Sequence, residues 1–203
     1  GAHPYLVPFH QGTNGAGTLG GKGNPVCHDN YDTSYLWNKV LTKDMLLEIL
    51  SKYIHLEVSE KEGKKKEVVI FPRFHQLDVV TKLIESVKEI GSGRNYLIQH
   101  SAGSGKSNSI AWLAYRLACL HRNNKHVFAS VIVVTDRKVL DTQLQDTIYQ
   151  FDHVDGVVEK IDKGKTSKDL LKAINEGKDI IITTIQKFPR IYKDIIGENK
   201  NFA

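Results

Sequence analysis

One stretch of the sequence, residues 96–120, constrains the fold more strongly than any other part of the chain. Its apolar start at residues 96–98 predicts a short strand, a loop of small residues follows, and the loop is predicted to lead into a helix. The apolar positions that recur at helical spacing are Ile110, Leu113, Ala114, Leu117 and Leu120. Because a strand, a glycine-containing loop and a helix follow one another in this order, we expect a domain of the α/β class.

The loop between this strand and this helix has the chemistry of a phosphate site. Gly103 and Gly105 allow the backbone to come close to a ligand, and the first N–H groups of a helix have no intrahelical acceptor. Lys106 would add a full positive charge, and the Ser107 hydroxyl is placed to bind Mg²⁺ carried by the phosphates. The usual pattern has a further glycine where His100 stands. A plain glycine–serine turn is the alternative, but the intact GKS core favours a nucleotide site.

Composition sets broad limits on the class of protein. The chain has 203 residues and a net charge of +5, which permits a polyanionic partner without requiring one. Cys27 and Cys119 lack a second cysteine at metal or redox spacing, so we expect no disulfide framework and a reducing cytoplasm. Apolar runs are far shorter than the roughly 18 residues of a membrane span, and no signal peptide opens the chain, which predicts a soluble intracellular protein. The only methionine is Met45, so we expect a piece of a longer protein.

Residues 1–25 are rich in glycine and predict a loop or linker. Gly15, Gly17 and Gly20 match the dinucleotide pattern G-x-G-x-x-G, but that pattern is meaningful only between a strand and a helix. Here Pro25 follows shortly after it, and no helical pattern begins. We therefore predict a loop and no dinucleotide site.

A helix is predicted after Thr42, its N-cap, with Leu46, Ile49, Leu50 and Tyr53 as the apolar stripe. The charged run EKEGKKKE at residues 60–67 then predicts a solvated loop and the boundary between two regions, residues 1–66 and 67–203. Contact of its lysines with nucleic acid is the less favoured alternative.

Beyond this boundary, strand and helix patterns alternate. An extended run at residues 67–71 precedes a helix that starts at Pro72 and ends at Gly91, and a second helix runs from Ser167 to Gly177. The inward positions predicted for the first are Leu77, Val80, Leu83, Ile84 and Val87, and a further helical face is formed by Leu140, Leu144 and Ile148. Buried strands are predicted at residues 131–135 and 179–183, and residues 157–161 could form another strand. This alternation predicts a parallel sheet flanked by helices.

Polar clusters follow the strands of this sheet: the phosphate loop, residues 135–137 and residues 183–187. Because ligands of open α/β sheets gather at the carboxyl ends of the strands, we expect a nucleoside triphosphate at the first cluster. An extended polyanion could lie over the other two.

Four segments in order, FPRFHQLDVV, LIQHSAGSGKSNSIAWLA, VIVVTDRKVLDTQLQ and IIITTIQKF, resemble the early helicase motifs of the motor-endonuclease (R) subunit of type I restriction enzymes, a superfamily 2 helicase-like family. YDTSYLWNKVLTKDMLLEIL is similar to the segment that joins nuclease and motor there. The resemblance implies that residues 1–66 end the nuclease region and that residues 67–203 begin a RecA-like P-loop NTPase domain, incomplete here. The nuclease carboxylates and the acidic magnesium box would lie outside this sequence.

The resemblance also implies function. It implies ATP-dependent translocation of double-stranded DNA followed by cleavage, with ATP and Mg²⁺ as cofactors and with specificity and methyltransferase subunits as partners. Lys106 and Ser107 would be catalytic, and Ser107 would bind the metal. The residues implied in nucleotide binding are Arg73, Gln76, His100, Gly103, Ser104, Gly105, Lys106, Ser107 and Asn108. The residues implied in DNA binding are Thr135, Asp136, Arg137, Gln143, Thr184, Gln186 and Lys187.

Several alternatives stay open at this point. Gln76 could simply be solvated, and Thr135 or Asp136 could cap the helix that follows. A phosphate loop would also be present in another superfamily 2 helicase or translocase, or in a small P-loop kinase or GTPase. A docking module could use the glycine-rich arm to bind a partner. A GTPase would need N-K-x-D, which the sequence lacks. The nine histidines show no metal-ligand spacing. Because a second lobe is needed for hydrolysis, we expect this chain alone to bind ATP weakly and to have little ATPase activity.

Overall fold

The computed structural model describes residues 9–61, 64–136, 144, 146–149, 157–161 and 165–190, without the side chains of 59–61, 64 and 188–190. The chain divides into two compact units, residues 1–81 and 82–203. The functional division at residues 66 and 67 stays a prediction.

The glycine-rich segment of the first unit is a closed loop, as the glycine content predicts. The Gly12 N–H donates to the Gly23 carbonyl at 2.9 Å, and the Thr13 N–H donates to the Gly21 carbonyl at 3.2 Å. These bonds join the two ends of the loop, so the segment folds back on itself and is no extended linker. Between residues 9 and 25 no strand or helix forms, so the setting that a dinucleotide motif needs is missing.

A π-helix at Leu36–Val40 leads into helix α1, Lys43–Lys52. Thr42 precedes α1 as predicted, but its hydroxyl donates to the Lys39 carbonyl at 3.0 Å and makes no capping bond to α1. The predicted apolar stripe is half right: Ile49 and Tyr53 are fully buried, whereas Leu46 and Leu50 are exposed.

The charged run at residues 60–67 is not a solvated loop, which corrects the sequence prediction. Strand β1, His55–Lys61, and strand β2, Lys64–Ile70, form an antiparallel hairpin through it. The strands continue because the residues that flank the run, Val58, Val68, Val69 and Ile70, favour extended structure. The extended run predicted at residues 67–71 is therefore real, but its partner is antiparallel.

Helix α2, Phe74–Ile90, carries the predicted inward residues, all of them buried: Leu77, Val80, Leu83, Ile84 and Val87. It ends as predicted at Gly91, whose φ of 82° is in the left-handed region and whose N–H donates to the Val87 carbonyl at 2.8 Å.

The second unit contains a parallel sheet of three strands, so the predicted α/β fold class is confirmed. The strands are β5 (Val131–Thr135), β6 (Val158–Lys160) and β7 (Ile180–Thr184), in the spatial order β5, β7, β6. All three lie within one residue of the predicted positions. Every residue of the central strand β7 is buried, as expected for a strand with a neighbour on each side. Two short strands, β3 (His121–Arg122) and β4 (Lys125–His126), form a separate hairpin.

Helices α3 (Lys106–Ala118) and α4 (Ser167–Asn175) also belong to this unit. On α3 the buried residues are Ser109, Ala111, Trp112, Ala114, Leu117 and Ala118. Ile110, predicted to face inward, is 39% exposed, so the buried face is turned relative to the prediction. Helix α4 packs on the sheet through a core of Ile161, Leu170, Ala173, Ile174 and Ile181. It ends before Gly177, φ 68°, as predicted.

One predicted strand is wrong. Residues 96–98 form no strand in the structure, and Leu97 is 95% exposed. An apolar run becomes a strand only when a neighbouring strand supplies backbone partners, and none of the described strands pairs with this one. Of the helical face predicted further on, Leu144 and Ile148 are buried, while Leu140 lies outside the described residues.

Candidate functional site

The loop before α3 has the backbone shape that a phosphate site requires. Gly103 and Gly105 have φ values of 73° and 81°, in the left-handed region where side chains are strained. Gly105 immediately precedes the helix. A Cβ placed on Gly103 would meet no heavy atom within 4 Å, so glycine is required there by backbone conformation and not by crowding. The surface above Gly103 is therefore open to a ligand.

The Lys106 ammonium already lies over this loop. Its Nζ donates to the Ser101 carbonyl at 2.8 Å and to the His100 carbonyl at 3.3 Å. Both acceptors are neutral, so the charge of Lys106 is not neutralised by these two bonds. Phosphate oxygens are stronger acceptors for an ammonium group than carbonyl oxygens are.

The first turn of α3 adds backbone donors. The first intrahelical bond runs from the Ser109 N–H to the Gly105 carbonyl at 3.3 Å. The N–H groups of residues 106–108 come before that bond, so they have no acceptor within the helix, and the helix dipole favours an anion near them.

The residues around the loop fit a nucleoside triphosphate with Mg²⁺. Ser107 and Asn108 are half-buried at the start of α3, and Ser104 is buried within the loop. A serine hydroxyl directly after the lysine is a hard oxygen ligand, which suits Mg²⁺. When bound, Mg²⁺ would neutralise part of the negative charge of the phosphates. Elsewhere in the described part of the chain, no three histidine, cysteine or acidic side chains cluster as a metal site.

Arg73 and Gln76 belong to the first unit, at the start of α2. Gln76 is 3% exposed, so the alternative that its side chain is simply solvated is wrong. Its Oε1 accepts the Arg73 N–H at 2.8 Å, and its own N–H donates to the Arg73 carbonyl at 3.0 Å. The side-chain bond is one half of a capping box, and the backbone bond closes the first turn of the helix. Recognition of adenine by Gln76 and Arg73 stays a prediction.

The structure brings most of the predicted DNA-binding residues to one edge of the sheet. Thr135 and Thr184 are paired in register at the carboxyl ends of β5 and β7, and Asp136 follows directly. Gln186 donates from Nε2 to the Asp136 carbonyl at 3.2 Å. Lys187 donates from Nζ to the Ile161 carbonyl at 2.6 Å.

These two bonds could not be predicted from the sequence, because the partners lie 50 and 26 positions away along the chain. Arg137 and Gln143 lie outside the described residues, and so does the start of the helix that Thr135 or Asp136 was expected to cap. DNA binding by this edge of the sheet stays a prediction.

No helix in the described residues combines the length and the apolar character that crossing a membrane would need.

This chain is similar in sequence to known ATPase and restriction proteins. A family model described as "SWI2/SNF2 ATPase" matches residues 75–202, more than half of the chain and all of the phosphate loop. A protein of Haemophilus influenzae named "Type I restriction enzyme HindI endonuclease subunit" is 27% identical over an alignment of 160 residues, and the alignment covers 75% of this chain. The chain spans 14% of the length of that relative. The resemblance to restriction subunits seen in the sequence is thus supported, and the chain belongs to the SWI2/SNF2 ATPase family.

Proposed function

We propose that this chain is the ATP-binding part of a DNA-translocating and DNA-cleaving subunit of a type I restriction system. The observation that carries the proposal is the Lys106 ammonium, held 2.8 Å from the Ser101 carbonyl over a loop with two left-handed glycines. The similarity to a subunit named as a type I restriction endonuclease supports the restriction assignment. Double-stranded DNA and the specificity and methyltransferase subunits would be the partners, in the cytoplasm.

In this proposal Lys106 exchanges its carbonyl partners for the outer phosphates of ATP. The two carbonyl bonds keep the ammonium near the loop, so little reorganisation is needed when the nucleotide binds. Ser107 would bind Mg²⁺, and the N–H groups of residues 106–108 would face phosphate oxygens. His100, Ser104 and Asn108 would line the loop, and Arg73 and Gln76 would read the base.

The edge formed by Thr135 and Thr184 is the surface proposed for DNA. The half-buried Thr135 hydroxyl suits a phosphate contact, which positions a duplex without reading its sequence, and Thr184, which is 8% exposed, would support that position from the paired strand. Arg137 and Gln143 would extend this surface, and sequence recognition would be left to the specificity subunit.

The proposal is tested by translocation and cleavage in the complete assembly. The intact protein is combined with its specificity and methyltransferase subunits, and release of a third DNA strand placed downstream of the recognition site is followed. We expect ATP-dependent release and subsequent double-strand cuts, both lost in Lys106→Ala. Lys168→Ala, which changes an exposed lysine on α4, should behave as wild type. Release and cutting that continue in Lys106→Ala would refute the assignment of the ATP site.

A second candidate is a DNA translocase of the same family that does not restrict DNA. The family match favours it as much as the first candidate, because it concerns the ATPase alone. The same assay separates the two: strand release without double-strand cuts would support the translocase. A kinase or GTPase is disfavoured, since the ATPase family model covers the phosphate loop.

A further inference from the structure

A 3₁₀ turn, Ile185–Arg190, follows β7. Two consecutive side chains of this turn bond at the ends of the two different strands that neighbour β7. Gln186 bonds the Asp136 carbonyl at the end of β5, and Lys187 bonds the Ile161 carbonyl just after β6. Because β7 is the middle strand, each bond reaches a different neighbour.

The two bonds begin where the backbone ladder stops. The last register pair between β5 and β7 is Thr135 with Thr184, and the Ile161 N–H still donates to the Ile182 carbonyl at 2.9 Å. After Thr184 the chain turns into the 3₁₀ segment, and the next donors to the neighbouring strands come from side chains. Ile161 is fully buried, and a buried carbonyl without a donor is costly.

We propose that Gln186 and Lys187 are positioning residues that extend the ladder and hold the carboxyl ends of β5 and β6 against β7. Lys187 then commits its ammonium to the Ile161 carbonyl and not to a DNA phosphate. Gln186 fixes the backbone at Asp136, next to the hydroxyl of Thr135. The statement that Lys187 does not contact a DNA phosphate rests on the proposed function. The joining of the strands by Gln186 and Lys187 does not.

Hydrogen exchange of the intact protein, without nucleotide or DNA, tests the joining of the strands. In Lys187→Met, amides of residues 157–161 should exchange about fivefold faster, the effect of losing one hydrogen bond, while residues 131–136 keep their rate. Gln186→Glu, which loses the amide donor, should show the reverse. Lys187→Arg, which keeps donors, should restore much of the protection, and the exposed Lys168→Met should change neither segment. Unchanged rates, or equal acceleration of both segments in both variants, would overturn the proposal.

DNA binding gives an independent readout. The logarithm of duplex affinity is measured against the logarithm of salt concentration for wild type and Lys187→Met. Replacing a positioning residue leaves the slope unchanged, whereas replacing a direct phosphate contact would reduce the magnitude of the negative slope by about 0.9. A slope of smaller magnitude in Lys187→Met than in wild type would therefore overturn the proposal. If the wild-type protein shows no salt-dependent DNA binding, the proposed function fails, and the exchange experiment alone decides on the positioning role.

Discussion

The Lys106 ammonium lies 2.8 Å from the Ser101 carbonyl oxygen, so the side chain folds back over the loop that precedes its own helix. The loop holds the ammonium only while its backbone keeps the shape set by the left-handed residues Gly103 and Gly105. Nucleotide affinity should therefore depend on the conformation of the loop as well as on the charge of Lys106.

Gly103→Ala tests this dependence. An alanine at φ 73° is strained by about 1–2 kcal/mol, and the distorted loop should bind ATP at least tenfold more weakly. Gly177→Ala is a matched control, because Gly177 has a φ of 68°, likewise has no atom within 4 Å of an added Cβ, and follows α4. Both variants should lose similar thermal stability, but only Gly103→Ala should lose ATP affinity in calorimetric titration of the intact protein. Equal affinities in the two variants would contradict the role of the loop.

The orientation of α3 gives a second prediction. Leu117 is buried and Ile110 is exposed, although the sequence pattern predicted both as inward. Leu117→Ala should lower the free energy of unfolding by about 2–5 kcal/mol, whereas Ile110→Ala should cost less than about 1 kcal/mol. Denaturant unfolding of the two variants measures the difference. Similar losses would mean that both side chains face the core.

The start of α4 gives a prediction about acid stability. The Thr166 N–H donates to the Asp169 carboxylate at 2.6 Å, and the Thr166 hydroxyl donates to it at 2.9 Å. These two bonds, the backbone one first, lower the pKa of Asp169. Because the folded pKa lies below the unfolded one, the stabilisation is present above the ordinary aspartate pKa of about 3.9 and is lost as the pH falls through the folded value.

Asp169→Asn removes that charge and therefore this part of the pH dependence. Thermal unfolding at pH 7 should show the variant less stable than wild type, and the gap should narrow as the pH is lowered through the range below about 4. A gap that stays constant down to pH 2 would show that the carboxylate charge is not what stabilises the turn.

Features with local causes could be predicted from the sequence. Gly91 and Gly177 end helices because their left-handed φ suits the position after a helix, and the valine and isoleucine runs of β5 and β7 form buried strands. Lys106 and Ser107 lie at the start of α3 because the glycine loop leads into that helix.

Features that depend on distant neighbours could not be predicted. The apolar residues 96–98 have the composition of a strand, but a ladder needs a partner that composition does not reveal. Helix faces follow the surfaces that cover them, so Ile110 and Leu50 are exposed despite their spacing. The resemblance to restriction subunits implied a DNA contact for Lys187. Its bond to the Ile161 carbonyl depends on how two distant segments meet in space, which the sequence does not reveal.

The most direct test of the account is the rate of DNA-stimulated ATP hydrolysis by the intact protein with Mg²⁺, measured for wild type, Lys106→Ala and the exposed control Lys168→Ala. The phosphate site requires the Lys106 charge, so Lys106→Ala should lose at least about 100-fold in rate while the control keeps the wild-type rate. Hydrolysis by Lys106→Ala at close to the wild-type rate would contradict the account, because the ATP site would then lie elsewhere in the protein.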